Sequence, residues 1–121
     1  MDRLLREELT ILHAQIYPGI GDPKRLLIIY ALSREELCVK DLAAQLDLSV
    51  NAVSRHLMIL RDHAMVNTRR ENTTVYYSLA DERIIQALDI LRTILSDRLQ
   101  KQIKLANFKA LQASLESPDV E

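Results

Sequence analysis

The feature that most limits how this chain can fold is a long helical pattern near its C-terminus. Asp81 is a good N-cap residue, and no glycine or proline follows it until Pro118. The pattern predicts a helix of about 30 residues, or about 45 Å at 1.5 Å per residue. One apolar stripe runs along this predicted helix and contains Ile84, Leu88, Leu91, Leu95, Leu99, Ile103, Ala106 and Ala110.

So long a stripe carries more apolar surface than one small domain can cover. The chain has 121 residues, which indicates one domain with a modest core. Leucines at helical spacing also mark a first helix near the N-terminus, which Tyr17-Pro18-Gly19 is expected to end. We expect a C2 homodimer joined through the first and last helices, the alternative being a last helix that packs only on its own domain. The predicted interface residues are Leu5, Leu9, Leu12, Ile84, Leu88, Leu91, Leu95 and Leu99.

Two short helices joined by a turn are predicted in the middle of the chain. Asp22-Pro23 opens a largely apolar helix, and a brief extended stretch, Leu37–Val39, follows it. Asp41–Leu46 has the pattern of a short helix. Asp47-Leu48-Ser49 then forms a turn, and Ser49 can cap a helix that runs from Val50 to about Asp62. This is the helix-turn-helix arrangement.

A change of pattern after Met65 predicts a β-hairpin. Val66–Arg70 and Thr74–Leu79 are rich in β-branched and aromatic residues, and Asn72 between them tolerates the left-handed conformation of a hairpin tip. The predicted fold is therefore mainly α: a winged helix-turn-helix of about five helices with a two-stranded β wing. We expect one DNA-binding and dimerisation domain over residues 1–113, with residues 114–121 as a flexible tail.

The distribution of charge indicates a nucleic-acid partner, although the net charge of −1 does not. Residues 50–70 contain four arginines and one acidic residue, on an otherwise acidic chain. A helix that begins at Val50 fits the major groove, where Arg55 can donate two hydrogen bonds to guanine and Asn51 can pair with adenine. The alternative is a solvated, arginine-rich surface. The predicted DNA-binding residues are Ser49, Val50, Asn51, Ser54, Arg55 and His56 on this helix, and Arg69, Arg70, Asn72 and Thr73 on the wing, while Arg61 could instead pair with Asp62 or Glu71.

Other functional classes find little support in the sequence. There is no nucleophile elbow and no paired-acid motif, and two glycines cannot build a glycine-rich phosphate loop, so we expect neither an enzyme nor a cofactor. The N-terminus lacks the apolar core of a signal peptide, and no apolar run approaches the length of a membrane span. With Cys38 as the single cysteine, a reducing cytoplasm is the expected compartment.

Four motifs in order resemble the ArsR/SmtB family of repressors over about residues 5–100. They are Asp22-Pro23 followed by Arg25-Leu26, the stretch Glu36–Ala43, the stretch Leu48–Leu57, and Val75-Tyr76-Tyr77-Ser78-Leu79. The resemblance implies a winged-helix homodimer that binds an imperfect DNA palindrome overlapping a promoter. In this family, binding of an effector usually releases the DNA.

The family's usual metal sites are not matched. Arsenic- and cadmium-type sensors resemble Cys-Val-Cys at positions 38–40, where this chain has Lys40 as the last residue. Zinc-type sensors place Asp, His, His and a further carboxylate or His at positions that correspond here to Asp81, Arg83, Ile94 and Asp97. One thiolate, or two carboxylates without a histidine, makes a poor site. We therefore expect neither metal site to be intact, and the effector stays open.

Two alternative functions follow from the same residues. A winged helix can serve as a protein-docking module without specific DNA binding, with the long helix as its docking surface. Cys38 can also make the chain a single-cysteine redox-responsive regulator, although a lone cysteine flanked by apolar residues is more often a small buried hydrophobe. The scattered His13, His56 and His63 are more often surface groups than ligands of a metal.

Overall fold

The computed structural model describes residues 1–116, which form six helices and three strands. The elements are α1 (Arg3–Gln15), α2 (Tyr17–Ile20), α3 (Pro23–Leu32), β1 (Leu37–Cys38), α4 (Val39–Leu46), α5 (Val50–Asp62), β2 (Val66–Glu71), β3 (Thr74–Leu79) and α6 (Arg83–Glu116). They divide into two compact units, of which one spans Met1–Ile85 and the other begins at Gln86. None of the described helices is both long enough and apolar enough to span a membrane.

The N-terminal helix buries none of its residues within the chain. Asp2 caps α1 by accepting a hydrogen bond from the amide of Leu4 at 3.2 Å. Helix α1 ends at Gln15, just before Tyr17-Pro18-Gly19, as expected, and these three residues also form a separate turn of helix, α2, that the sequence did not predict. Pro18 is tolerated in the first turn of α2, where its missing N–H has no helical partner to lose.

Helix α3 lies in the core, as its apolar pattern predicts. The Asp22 carboxylate caps it by accepting from the amides of Lys24 at 2.8 Å and Arg25 at 3.3 Å. Ile28 and Ile29 are fully buried. Leu27, however, is 49% exposed, so the helix is not enclosed on every side.

Helices α4 and α5 form the predicted helix-turn-helix. Helix α4 begins at Val39, two residues before the predicted start at Asp41. The turn passes through Asp47, which adopts a left-handed conformation with a φ of 53°. The Ser49 hydroxyl then accepts from the amide of Ala52 at 3.0 Å, which confirms Ser49 as the cap. Helix α5 runs over Val50–Asp62, the predicted span.

The sheet has three strands, whereas the sequence led us to expect two. Strands β2 and β3 pair antiparallel from Val66↔Leu79 to Glu71↔Thr74, and Asn72 at the tip is left-handed with a φ of 57°. Strand β1 adds the pairs Leu37↔Tyr77 and Cys38↔Tyr76, so that the order is β1-β3-β2. Pairing with β3 satisfies the backbone groups of this short extended stretch.

Helix α6 is the longest element, with 34 residues. At 1.5 Å per residue it extends for about 51 Å. The Asp81 carboxylate accepts from the amide of Arg83 at 3.0 Å, as the predicted cap requires. The helix continues to Glu116, three residues into the predicted tail, and the remainder of that tail, residues 117–121, lies outside the described residues.

Candidate nucleic-acid interface

Helix α5 separates its apolar and polar side chains onto opposite faces. Val53, Leu57 and Leu60 are 0%, 1% and 0% exposed and fix the helix in the core. Asn51, Ser54 and Arg55 are all exposed. Val50 at the first turn is 51% exposed. A DNA-binding role for α5 requires Ser54 and Arg55 to be accessible, and both lie at the surface.

Ser49 has a structural task that leaves part of its hydrogen-bonding capacity available. Its oxygen accepts from the Ala52 amide, while the hydroxyl hydrogen remains able to donate to an acceptor such as a phosphate oxygen. The first amides of α5 lie at the same end of the helix, where anions are favoured. Ser49 can therefore cap the helix and still contact DNA.

His56 differs from its neighbours on α5 because it is half-buried and hydrogen-bonded. Arg25 Nη1 lies 3.2 Å from His56 Nδ1. Since a guanidinium can only donate, the Nδ1 atom must accept, which assigns the remaining imidazole proton to Nε2 in the neutral ring. Burial lowers the pKa of His56 from its usual 6.5, and nearby cations act in the same direction against the opposing charge of Asp22. His56 is thus tied to the domain and presents less of its ring to a partner than the sequence suggested.

Arg25 is a site residue whose role sequence reasoning missed. Its Nε donates to the Gly19 carbonyl at 2.9 Å, and its Nη2 donates to the Pro18 carbonyl at 2.8 Å. With the contact to His56, one side chain of α3 links α2 to α5. The only signal in the sequence was the position of Arg25 shortly after Asp22-Pro23, which does not reveal a partner 31 residues away.

The two wing arginines have different surroundings. Arg69 is engaged by two carboxylates, with its Nη2 2.7 Å from Glu36 Oε1 and its Nη1 3.1 Å from Glu71 Oε2. Arg70 is exposed and forms no ion pair within residues 1–116. Asn72 and Thr73 are exposed at the tip. Alternation along β2 places the two arginines on opposite faces of the sheet, as the sequence predicted.

The remaining candidates that the sequence offered are Arg61, His63 and His13. Within the described residues Arg61 has no ion pair with Asp62 or with Glu71. His63 Nδ1 donates to the Gln15 carbonyl at 2.9 Å. The His13 and Tyr17 rings are arranged edge to face, with their centres 5.8 Å apart. Residues 1–116 contain no group of three or more His, Cys, Asp or Glu side chains that could hold a metal ion.

Two residues at the positions of the zinc-type site, Asp81 and Arg83, bind each other. Arg83 donates to both oxygens of Asp81, at 3.0 Å and 3.2 Å from Nε and at 2.6 Å from Nη2 to Oδ2. Hydrogen bonds from the Arg83 side chain and backbone lower the pKa of Asp81 to about 2. The carboxylate is therefore paired with a guanidinium where the site would need a free imidazole as second ligand.

The predicted interface residues carry exposed apolar surface in each unit. On α1, Leu5, Leu9 and Leu12 are 42%, 45% and 37% exposed. On α6, most of the predicted residues are exposed to a similar or greater degree, with Leu91 at 56%, Leu95 at 55% and Leu99 at 48%. Ile84 is half-buried, and Leu88 is only 7% exposed, so these two offer less surface to a partner.

Comparison with known proteins identifies the family. The model of the arsR family of bacterial regulatory proteins matches residues 22–68. The transcriptional repressor SmtB homolog of Synechocystis is 43% identical over 88 residues, which is 73% of this chain and 64% of that protein. The matched region thus falls just short of two thirds of this relative's length.

Solved structures agree in fold over most of the chain. The crystal structure of NolR from Sinorhizobium fredii is 36% identical with a TM-score of 0.68, covering 78% of this chain and 93% of NolR. The homodimeric winged helix-turn-helix DNA-binding domain of Mb0332 from Mycobacterium bovis is 24% identical with a TM-score of 0.69, covering 84% and 92% of the two chains, and it supports the fold alone. The matched family consists of regulatory proteins and not of enzymes. The chain belongs to the ArsR/SmtB family, and its fold is a winged helix-turn-helix.

Proposed function

We propose that this chain is a DNA-binding transcriptional regulator that represses from a palindromic operator as a homodimer. The observation that carries the proposal is the division of α5 into a fully buried apolar face and an exposed face with Asn51, Ser54 and Arg55. A rigidly seated helix with a polar outer face fits the major groove. The 43% identical relative, a transcriptional repressor homolog, supports the same function.

Ser49 and the exposed residues in the first two turns of α5 each have a chemical role in this proposal. Arg55 donates two hydrogen bonds to the O6 and N7 atoms of a guanine, and Asn51 pairs with an adenine edge. Val50 contacts a thymine methyl group. Ser49 and Ser54 hold phosphate oxygens together with the amides at the start of α5, which sets the register of the helix along the groove.

The wing supplies contacts beside those of α5. Arg70 and the tip residues Asn72 and Thr73 are exposed and have hydrogen-bonding groups available to a phosphate or to the minor groove. His56, which is tied to Arg25, acts in the proposal by holding the second turn of α5 in place. This division assigns base contacts to α5 and backbone contacts mainly to the wing.

The homodimer is proposed from the exposed leucines of α1 and α6. An apolar stripe left open on so long a helix is covered most simply by a second copy around a two-fold axis. A two-fold dimer places two α5 helices on two half-sites, which explains why the operator is expected to be palindromic.

The proposed regulator does not sense a metal through the arsenic- and cadmium-type site or through the zinc-type site. Cys38 is followed two residues later by Lys40 in place of a second thiolate, and Asp81 is bound by Arg83. Metal analysis of the purified protein, together with titration of its single thiol, tests this part. Stoichiometric zinc or cadmium bound at submicromolar concentration would contradict it.

DNA binding itself is tested by fluorescence anisotropy with labelled duplexes from the region upstream of the gene. We expect saturable binding well below micromolar protein, with a steep decrease as salt rises because several arginine–phosphate contacts release counterions. Footprinting is expected to show two protected half-sites about one helical turn apart. If no duplex binds below micromolar protein at moderate salt, the protein-docking alternative becomes the better proposal.

A further inference from the structure

The contacts of Arg69 cross the whole width of the sheet. Arg69 on β2 lies opposite Tyr76 on β3, and Tyr76 lies opposite Cys38 on β1. Side chains of directly opposed residues lie on the same face of an antiparallel sheet. The Arg69 guanidinium is stacked 4.8 Å from the centre of the Tyr76 ring, which directs it over the central strand toward the start of β1.

Glu36 receives the Arg69 guanidinium at the far edge of the sheet. Its Oε1 atom accepts from Arg69 Nε at 3.0 Å and from Nη2 at 2.7 Å. Glu36 directly precedes β1, and α4 begins at Val39 immediately after β1. The ion pair therefore joins the outer strand of the wing to the segment that leads into the helix-turn-helix.

Few backbone pairs join the wing to strand β1. Strand β1 contributes only two residue pairs to the sheet, Leu37↔Tyr77 and Cys38↔Tyr76. The side chains of Arg69 and Glu36 are 50% and 34% exposed, and an ion pair this open to water adds little to the stability of the fold. Loss of the ion pair would therefore leave the domain folded while removing a restraint on the orientation of the wing.

We propose that Arg69 and Glu36 form a brace that positions the wing for DNA binding without touching DNA themselves. The proposal rests on the proposed function above. Two carboxylates, from Glu36 and Glu71, surround the one guanidinium, so this face of the sheet is locally anionic and is repelled by phosphate. Arg70, on the opposite face, is the wing arginine that contacts DNA.

The salt dependence of binding separates a positioning residue from a contact residue. Operator affinity is measured by anisotropy at several KCl concentrations for the wild type and for Glu36→Gln, Arg69→Ala and Arg70→Ala. We expect Glu36→Gln and Arg69→Ala to weaken binding by about threefold to tenfold with an unchanged salt slope. Arg70→Ala is expected to lower the slope by about one per wing, as loss of a phosphate contact does.

Glu71→Gln is the matched control. It removes one of the two carboxylates that bind Arg69, with the same change of charge as Glu36→Gln. Glu71 lies on β2 itself, and within residues 1–116 its ion pair with Arg69 links it to no other element. We expect its affinity to equal that of the wild type or to exceed it slightly. The double variant Glu36→Gln/Arg69→Ala is expected to lose no more affinity than either single variant, because both remove one contact.

Several outcomes would overturn the brace. If Glu36→Gln binds more tightly than the wild type and with a steeper salt slope, then Arg69 is a DNA contact that Glu36 restrains. If the wild type binds and Arg70→Ala lowers the slope while Glu36→Gln has no effect, the brace fails and the proposed function stands. If the wild type binds no duplex, the proposed function and the proposal that the wing is positioned for DNA both fail. Hydrogen exchange of the β2 amides in Glu36→Gln then reports separately whether the ion pair restrains the wing.

Discussion

Helices α5 and α6 use similar apolar spacing but differ in what covers their apolar residues. On α5, Val53, Leu57 and Leu60 are almost completely buried. On α6, Leu95 and Leu99 remain about half exposed at 55% and 48%. A helix whose apolar face is covered by its own domain can offer its polar face to another molecule. We propose that a helix whose apolar face stays open contacts a second protein surface instead.

A charge placed on the apolar stripe of α6 is expected to have the largest effect. Leu99→Asp places two carboxylates in a C2 interface, and each unpaired buried charge costs several kcal/mol. We expect the dimer dissociation constant to rise by at least about a hundredfold. Sedimentation velocity over a range of concentrations measures this. Gln100→Asp is the control, because it adds the same charge at the next residue, which lies outside the apolar stripe. An unchanged dimer dissociation constant in Leu99→Asp would contradict the proposed interface.

Truncation of a buried residue of α5 is expected to have the next largest effect. Leu57→Ala removes a side chain that is 1% exposed, which should lower the free energy of unfolding by about 2–5 kcal/mol. The neighbouring Met58 is 64% exposed, and Met58→Ala should change it by less than about 0.5 kcal/mol. Urea unfolding monitored by circular dichroism gives both values. Equal losses for the two variants would mean that the two faces of α5 have been assigned wrongly.

The outer face of α5 is tested through base preference. Arg55→Ala should weaken operator binding by about 1–3 kcal/mol and relax the preference at one base pair in each half-site. Competition among operators with single substitutions measures the preference. Arg61 is an exposed arginine in the last turn of the same helix, and Arg61→Ala should leave the base preference unchanged. A uniform loss of affinity over all operators would reduce Arg55 to a phosphate contact.

The smallest expected effect concerns pH and the half-buried His56. Its pKa in the folded chain lies below the ordinary 6.5, so the unfolded chain binds the proton more readily. Stability contributed by neutral His56 is therefore present above pH 6.5 and is lost as the pH falls below it. Protonation of Nδ1 would also remove the acceptor that Arg25 uses. The wild type should lose more stability than His56→Gln between pH 7.5 and 5.5, and parallel losses would exclude His56 as the cause.

Local patterns predicted most of the fold. Ser49 and the spacing of Val53, Leu57 and Leu60 placed α5 over its observed span, because a cap and a helical period are properties of neighbouring residues. The wing followed from β-branched residues on both sides of Asn72. The extended stretch at Leu37–Val39 was predicted but its pairing into the sheet was not, since its partners lie almost forty positions later and no local pattern encodes that pairing.

Long-range contacts also explain what the sequence did not reveal about the site. Alternation showed that Arg69 and Arg70 lie on opposite faces, but the partner of Arg69 is Glu36, 33 residues earlier in the chain. The sequence predicted His56 to be exposed on α5, and the structure shows it half-buried with its ring bound to Arg25, 31 residues earlier in the chain. The exposed residues of α5 were predictable because a buried face determines the opposite one.

A packing detail at Gly19 has a consequence for how this chain can change over evolutionary time. Gly19 is buried, and a methyl group added to it would collide with the sulfur of Met65. Asn72 is restricted by its torsion angle alone, so glycine could replace it at no cost in space. Gly19 is restricted by the volume of another side chain, so an alanine there becomes acceptable only with a smaller or rearranged residue at position 65. We expect substitutions at positions 19 and 65 to arise together among descendants of this sequence.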